Sequence, residues 1–111
     1  MAVAPLARAL NFRADAHLGK GDTDAALADA RRALEISRHL QGDKPWSSLT
    51  GLSLLSIARI EESRGDHDAA RLAHREAFSH LSETLGLEHP DTRRAQQSTQ
   101  VSESLREPNT R

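Results

Sequence analysis

The stretch "GDTDAALADARRAL" (residues 21–34) recurs later in the chain as "GDHDAARLAHREAF" (residues 65–78). The two copies begin 44 residues apart and agree at Gly, Asp, Asp, Ala and Ala, and again at one Arg and one Ala. The same offset relates further pairs outside this stretch, namely Leu10/Leu54, Ala14/Ala58 and Gly42/Gly86. So many matches at one spacing indicate an internal repeat of two units.

The repeated stretch itself predicts a turn between two helices. Gly21 and Gly65 suit the left-handed backbone position that ends a helix. Asp22 and Asp66 follow, and each carboxylate can accept the free N–H groups in the first turn of the next helix. Because the chain has no Tyr, two Phe and few β-branched residues, little favours strands, and we expect an all-α protein.

The spacing of these signals predicts five helices in a single domain over residues 1–111. We place them at 4–19, 22–41, 46–64, 66–85 and 90–106, followed by a tail at 107–111. The loops "QGDKPW" and "GLEHPD" each contain a Gly stop and a Pro that can occupy the first turn of the next helix. The first four helices therefore form two antiparallel hairpins, 4–41 and 46–85.

Apolar spacing predicts the surfaces that these helices bury. Leu6, Leu10, Ala14 and Leu18 form one stripe along the first helix. The other expected core residues are Ala26, Ala30, Ala33 and Leu34 in the second helix, Leu54, Ile57 and Ala58 in the third, and Ala70, Ala73, Ala77, Phe78 and Leu81 in the fourth. Small alanines allow close helix contacts. We expect Trp46, the only tryptophan, to be a buried anchor at the junction of the hairpins.

Composition excludes several classes of function. A net charge of −1 provides no field for attracting nucleic acid or an anionic membrane, and no helix-turn-helix with a basic recognition helix stands out. No stretch approaches the length of a membrane span, and there is no cysteine for disulfides or thiolate chemistry. We therefore expect a soluble, cytoplasmic protein, and the excess of arginine over lysine favours a bacterial source.

The alanine pattern resembles that of the tetratricopeptide repeat. Ala14 to Ala26 and Ala58 to Ala70 are each 12 residues apart, and Ala33 and Ala77 follow seven residues later. The 44-residue period and "LGLEHPDT" (85–92) resemble the kinesin-light-chain-like variety of this repeat. The resemblance implies a right-handed α-solenoid fragment with two stacked hairpins and a C-terminal capping helix.

The resemblance also implies a binding scaffold whose concave wall consists of the first helix of each pair. That wall would bind a peptide or helix of a partner protein, or a second copy of the chain, through residues Arg8, Asn11, Phe12, Asp15, Leu52, Leu55, Ser56, Arg59 and Glu62. Asn11 could hold a peptide backbone through its amide, and Arg59 a carboxylate. Because Phe12 and Ser56 replace the family's peptide-holding Asn and Lys, an apolar surface is favoured over a clamp for a peptide terminus. The alternatives are that these residues bind nothing, or that the chain is a peptide-sensing regulatory domain of a larger signalling or transcription protein.

Two repeats and one further helix form an incomplete array, because three repeats are normally needed. The helix at 90–106 has only a thin apolar stripe and is interpreted as a solubilising cap. Alternatively, it begins a third repeat or mediates formation of a homodimer.

Nothing in the sequence indicates catalysis. The six histidines are scattered without the spacing of a helical metal site, and no phosphate loop or nucleophile elbow occurs. We therefore expect no enzyme activity, no metal and no cofactor.

An alternative interpretation of the sequence as a J-domain rests on the tripeptide His89-Pro90-Asp91, which J-domain co-chaperones also carry. There it follows a strongly basic helix, whereas the preceding helix here is close to neutral. The 44-residue repeat has no place in a J-domain and predicts a Gly–Pro loop at this position. The tripeptide is therefore interpreted as the start of a helix.

Overall fold

The computed structural model describes residues 3–96 of the chain, and within them the fold consists of helices and their connections, without strands. Its helices are α1 (Val3–Gly19), α2 (Thr23–Gln41), α3 (Ser48–Arg64) and α4 (His67–Thr84). Residues 90–96, called α5 here, are helical up to the end of the described part. Adjacent helices stack side by side, which confirms the all-α fold of a helical repeat solenoid. The rest of the fifth helix predicted at 90–106, with the tail at 107–111, lies outside the described residues.

The two hairpin turns have nearly the same geometry. Gly21 and Gly65 have φ values of 81° and 86°, a region that glycine enters without steric cost. The Asp22 carboxylate accepts from the Ala25 N–H at 3.2 Å, and Asp66 accepts from Ala69 at 3.1 Å. The left-handed glycines and the aspartate helix caps are therefore the same in both repeats, as the sequence predicted.

The third helix begins two residues later than predicted. Ser47 has an extended backbone, with φ of −149°, and its hydroxyl accepts the Thr50 N–H at 3.1 Å. Serine at this position stabilises a helix start, so α3 begins after Ser47 and leaves Pro45 in the preceding loop. The expectation that Pro45 lies in the first helical turn is therefore wrong, whereas Pro90 is the first residue of α5.

The alanine core forms the contacts within and between the hairpins. All eight alanines expected in the core are buried: Ala14, Ala26, Ala30, Ala33, Ala58, Ala70, Ala73 and Ala77. The stripe on α1 differs by one residue at its start, because Ala7 is fully buried and Leu6 is 42% exposed. Ile60 of α3, which the spacing missed, packs on Ala30 and Leu27 of α2 and so joins one hairpin to the next.

A buried carboxylate braces the first hairpin. Asp29 of α2 accepts two hydrogen bonds from the guanidinium of Arg13 on α1, at 2.7 and 2.8 Å. These hydrogen bonds lower the pKa of Asp29, although its burial acts in the opposite direction. The positions 44 residues later are Ile57 and Ala73, so the second hairpin has apolar residues in place of this ion pair.

Trp46 does not become a buried anchor. Its side chain lies in the loop between the hairpins and is 41% exposed. The indole meets the His80 ring edge-on, with ring centroids 5.5 Å apart and an angle of 82° between the planes. Trp46 therefore packs against His80 of the second hairpin while a large part of its side chain remains exposed to water.

Candidate protein-binding groove

The first helices of the two hairpins lie side by side, so that equivalent positions of the repeat meet. Asp15 of α1 and Arg59 of α3 are 44 residues apart, and the Arg59 guanidinium lies 3.1 Å from the Asp15 carboxylate. Ser56, one turn earlier on α3, also approaches this carboxylate, at 3.5 Å. The wall that these two helices share is the surface that the sequence predicted as concave and partner-binding.

A groove of about 200 Å³ runs along this wall. Seven of the nine predicted residues line it, namely Arg8, Asn11, Phe12, Leu52, Leu55, Ser56 and Arg59. Asp15 contacts two of them without lining the groove. Glu62 lies farther along α3 and pairs with His67 at 2.8 Å, next to the hairpin turn.

Two groove residues were missed in the sequence. Leu49 lies three residues before Leu52, so extending the helical spacing by one turn would have found it. Asp91 comes from α5, the first helix after the second hairpin, and no local pattern marks it. The groove therefore combines residues from α1, α3 and α5.

Asn11, which lines the groove, is the outer end of a chain of hydrogen bonds that continues through two buried serines and has a fixed direction. Ser37 lies 2.7 Å from the Ala33 carbonyl, which can only accept, so its single hydroxyl hydrogen is used there. The Ser53 hydroxyl, 3.3 Å from Ser37, must therefore donate to Ser37. Ser53 in turn accepts from Nδ2 of Asn11 at 3.1 Å. Residues of α1, α3 and α2 are thus joined under the groove.

The hydrogen bond to Ser53 occupies the Asn11 amide within the protein itself. Because Nδ2 donates to Ser53, Oδ1 is left buried without a hydrogen-bond partner in the described part of the chain. The predicted role of Asn11 is to hold a partner's backbone from both sides of its amide. In that role Asn11 would have to break its hydrogen bond with Ser53. We therefore assign Asn11 to the floor of the groove.

The charges around the groove are largely neutralised within the chain. Arg59 pairs with Asp15 at 3.1 Å, and Asp91 pairs with Arg94 at 2.6 Å. Arg8 is exposed and has no ion-pair partner among residues 3–96. Within the described part of the chain, the groove therefore has one positive charge without an ion-pair partner, beside the leucine side chains of α3.

Phe12 gives the groove an exposed aromatic edge. It is 75% exposed, more than any other large hydrophobic side chain in the described part of the chain. Large apolar side chains that remain in water beside a concave surface are typical of protein-binding sites. Leu49 and Leu52, which are partly buried, continue this apolar surface across α3.

A comparison with protein families identifies the repeat. The family model of the tetratricopeptide repeat matches the chain twice, over residues 6–44 and 50–91. The chain belongs to the tetratricopeptide repeat family. The two matches also agree with the long, kinesin-light-chain-like variety that the 44-residue period indicates. Searches of curated proteins and of solved structures found no match.

Within this tetratricopeptide repeat fold, the His-Pro-Asp tripeptide starts a helix. Pro90 is the first helical residue, and Nδ1 of His89 accepts the Asp91 N–H at 3.1 Å. The Arg93 N–H donates to the His89 carbonyl at 3.0 Å, which closes the first turn. Each residue of the tripeptide thus has a local structural role, and the family match supports this interpretation over a J-domain.

Tetratricopeptide repeats generally mediate protein–protein interaction, and their family is a non-enzymatic scaffold. Within residues 3–96, no three His, Cys, Asp or Glu side chains are grouped closely enough to hold a metal ion. No helix in the same part of the chain is both long and apolar enough to cross a membrane.

Proposed function

We propose that this chain binds a helical segment of a partner protein across the groove between α1 and α3. The segment would place apolar side chains against Phe12, Leu49 and Leu52 and one carboxylate beside Arg8. The observation that carries this proposal is the charge of Arg8, which no described residue compensates, next to an apolar wall whose other charged residues are already paired. We propose the cytoplasm as its location, in keeping with the lack of cysteine.

The chemistry of the wall favours a helix over a peptide terminus. A carboxylate clamp would need several free cations, but Arg59 already holds Asp15. Apolar side chains spaced three and four residues apart on a helix would instead match the row Leu49, Leu52 and Ser56 on α3. Self-association through the C-terminal helix stays a prediction, since most of that helix lies outside the described residues.

A charge exchange between probe and protein tests the proposal. Two labelled amphipathic peptides are titrated against the chain by fluorescence anisotropy; both carry leucines at helical spacing, and they differ by one central Glu or Lys. We expect the Glu peptide to bind the wild type about two- to five-fold more tightly, as an exposed ion pair allows. Arg8→Glu should reverse this order, and Phe12→Ala should weaken both peptides.

Arg32→Glu is the matched control, because Arg32 is exposed on α2 and does not line this groove. It should leave the preference for Glu intact. Equal binding of the two peptides to the wild type, an unchanged preference in Arg8→Glu, or no binding of either peptide at millimolar concentration would each contradict the proposal. Duplex DNA serves as a probe of the rival class, and tighter binding of DNA than of the peptides would also contradict it.

A further inference from the structure

The loop that joins the two hairpins, residues 42–47, is held by a network of polar side chains. Gln41 at the end of α2 donates through Nε2 to the Lys44 carbonyl at 2.7 Å. Its Oε1 accepts from the hydroxyl of Thr50 on α3 at 2.9 Å. Thr50 is fully buried, and its backbone N–H donates to Ser47 Oγ at 3.1 Å. The loop is thus tied to the helices on both sides.

The last member of this network is a histidine of the second hairpin. The backbone N–H of Ser47 lies 3.1 Å from Nδ1 of His80 on α4. A backbone N–H can only donate, so Nδ1 must carry the lone pair, and the ring proton must reside on Nε2. The Ser47 contact therefore exists only with the neutral form of His80.

The His80 ring is fixed in place from several sides. The Trp46 ring contacts it edge-on, and the residue is only 7% exposed. Gly51 of α3 lies so close to the base of this side chain that a Cβ there would stand 3.0 Å from His80 Cβ, so α4 packs tightly on α3 at His80. Turning the ring to present its other nitrogen to Ser47 would disturb the Trp46 contact inside a buried site.

We propose that His80 is a proton-operated latch on the inter-repeat loop, closed when neutral and opened when a proton occupies Nδ1. Opening removes the acceptor of the Ser47 N–H and places a positive ring beside Trp46. The first turn of α3 follows directly, and it carries Leu49 of the groove. Acidic pH would therefore loosen one wall of the proposed binding groove. This effect on binding rests on the proposed function, whereas the opening of the latch does not depend on it.

Burial has the largest effect on the pKa of His80, because the surrounding charges largely cancel. Burial lowers the pKa of His80; Glu76 on α4 raises it and Arg38 on α2 lowers it. These two groups pair with each other at 2.7 Å, so their effects largely cancel. The part of α3 packed on His80 contains no titratable side chain, and the loop's own Asp43 and Lys44 are exposed. The transition is thus expected on the acid side of the ordinary value of 6.5.

The single tryptophan reports on this latch directly. Protonated imidazole quenches indole fluorescence more than neutral imidazole does, so Trp46 emission should fall in one step between pH 7.5 and pH 4.5, with a midpoint below 6.5. His80→Asn retains an acceptor near the position of Nδ1 but does not titrate, and should abolish the step. His39→Asn is the matched control, because His39 is an exposed histidine near the end of α2, and it should retain the step.

A second measurement uses the wild type alone and does not depend on whether a variant folds. Long-range ¹H–¹⁵N correlation spectra should show His80 protonated at Nε2 at pH 7.5, and the Ser47 amide signal should shift with the same midpoint as the fluorescence. A proton on Nδ1 at neutral pH, or a fluorescence step that persists in folded His80→Asn, would overturn the latch. Neither readout involves a partner, so the result is independent of the peptide titration.

Discussion

The hydrogen-bonded chain from Asn11 through Ser53 to Ser37 allows a quantitative prediction. Ser53 is fully buried on α3, where it accepts from Asn11 and donates to Ser37. Replacing Ser53 with Ala removes both bonds and leaves Nδ2 of Asn11 without its acceptor. The Ser37 hydroxyl keeps its bond to the Ala33 carbonyl, so the main loss is at Asn11.

The expected cost follows from these contacts. A fully buried donor left without a partner costs about 1–3 kcal/mol, and the Asn11–Ser53 bond is partly buried, which places its loss in the lower part of this range. The higher helix propensity of alanine offsets about 0.5 kcal/mol of this cost. We therefore expect Ser53→Ala to lower the free energy of unfolding by about 1–2 kcal/mol and Tm by roughly 5–10 °C for a domain of this size.

Urea unfolding followed by circular dichroism at 222 nm measures this cost. Ser63→Ala is the matched control, since Ser63 is exposed on the same helix and should gain the propensity without losing a buried bond. In a double-mutant cycle, Asn11→Ala and Ser53→Ala should couple by about 1 kcal/mol, because they remove the same bond. The contribution of the Asn11–Ser53 hydrogen bond to stability is refuted if Ser53→Ala is as stable as Ser63→Ala, or if the two changes are additive.

Two further predictions concern the second hairpin. In Gly51→Ala the new Cβ would lie 2.7 Å from Cδ2 of Leu81, so unfolding free energy should drop by about 1–3 kcal/mol through overpacking. Gly19→Ala, where nothing lies within 4 Å of the new Cβ, should be neutral or stabilising in the same urea assay; equal costs at both sites would contradict the close packing. His74 is 97% buried with no partner for Nδ1 among residues 3–96, and burial lowers its pKa below 6.5. Its contribution to stability is therefore complete above pH 6.5 and is lost as the pH falls from 6.5 towards the lowered pKa. His74→Leu should reduce the loss of stability between pH 7 and pH 5, whereas an unchanged slope would show that His74 is not protonated on unfolding in this range.

The sequence was sufficient for features that depend on residues close together in the chain. Gly21 and Gly65 adopt the predicted left-handed backbone, and Asp22 and Asp66 cap the following helices, because each feature needs only one residue or a contact three residues away. The repeat also placed most of the groove residues on one wall, since helical spacing assigns side chains to faces. The errors at Leu6 and Pro45 are shifts of one or two residues at helix starts.

Only the tertiary structure decided which of these side chains are free to act. The sequence predicted the hairpins, their turns and the wall that carries the groove. It could not show that Asp15 neutralises Arg59 or that Asn11 is committed to Ser53. Nor could it show that Arg8 has no ion-pair partner among residues 3–96. Nor did it place Trp46 against His80, 34 residues away in the chain. The physical reason is that local geometry fixes caps and faces, whereas pairing depends on distances between residues about 30 to 45 positions apart, which are set when the hairpins stack.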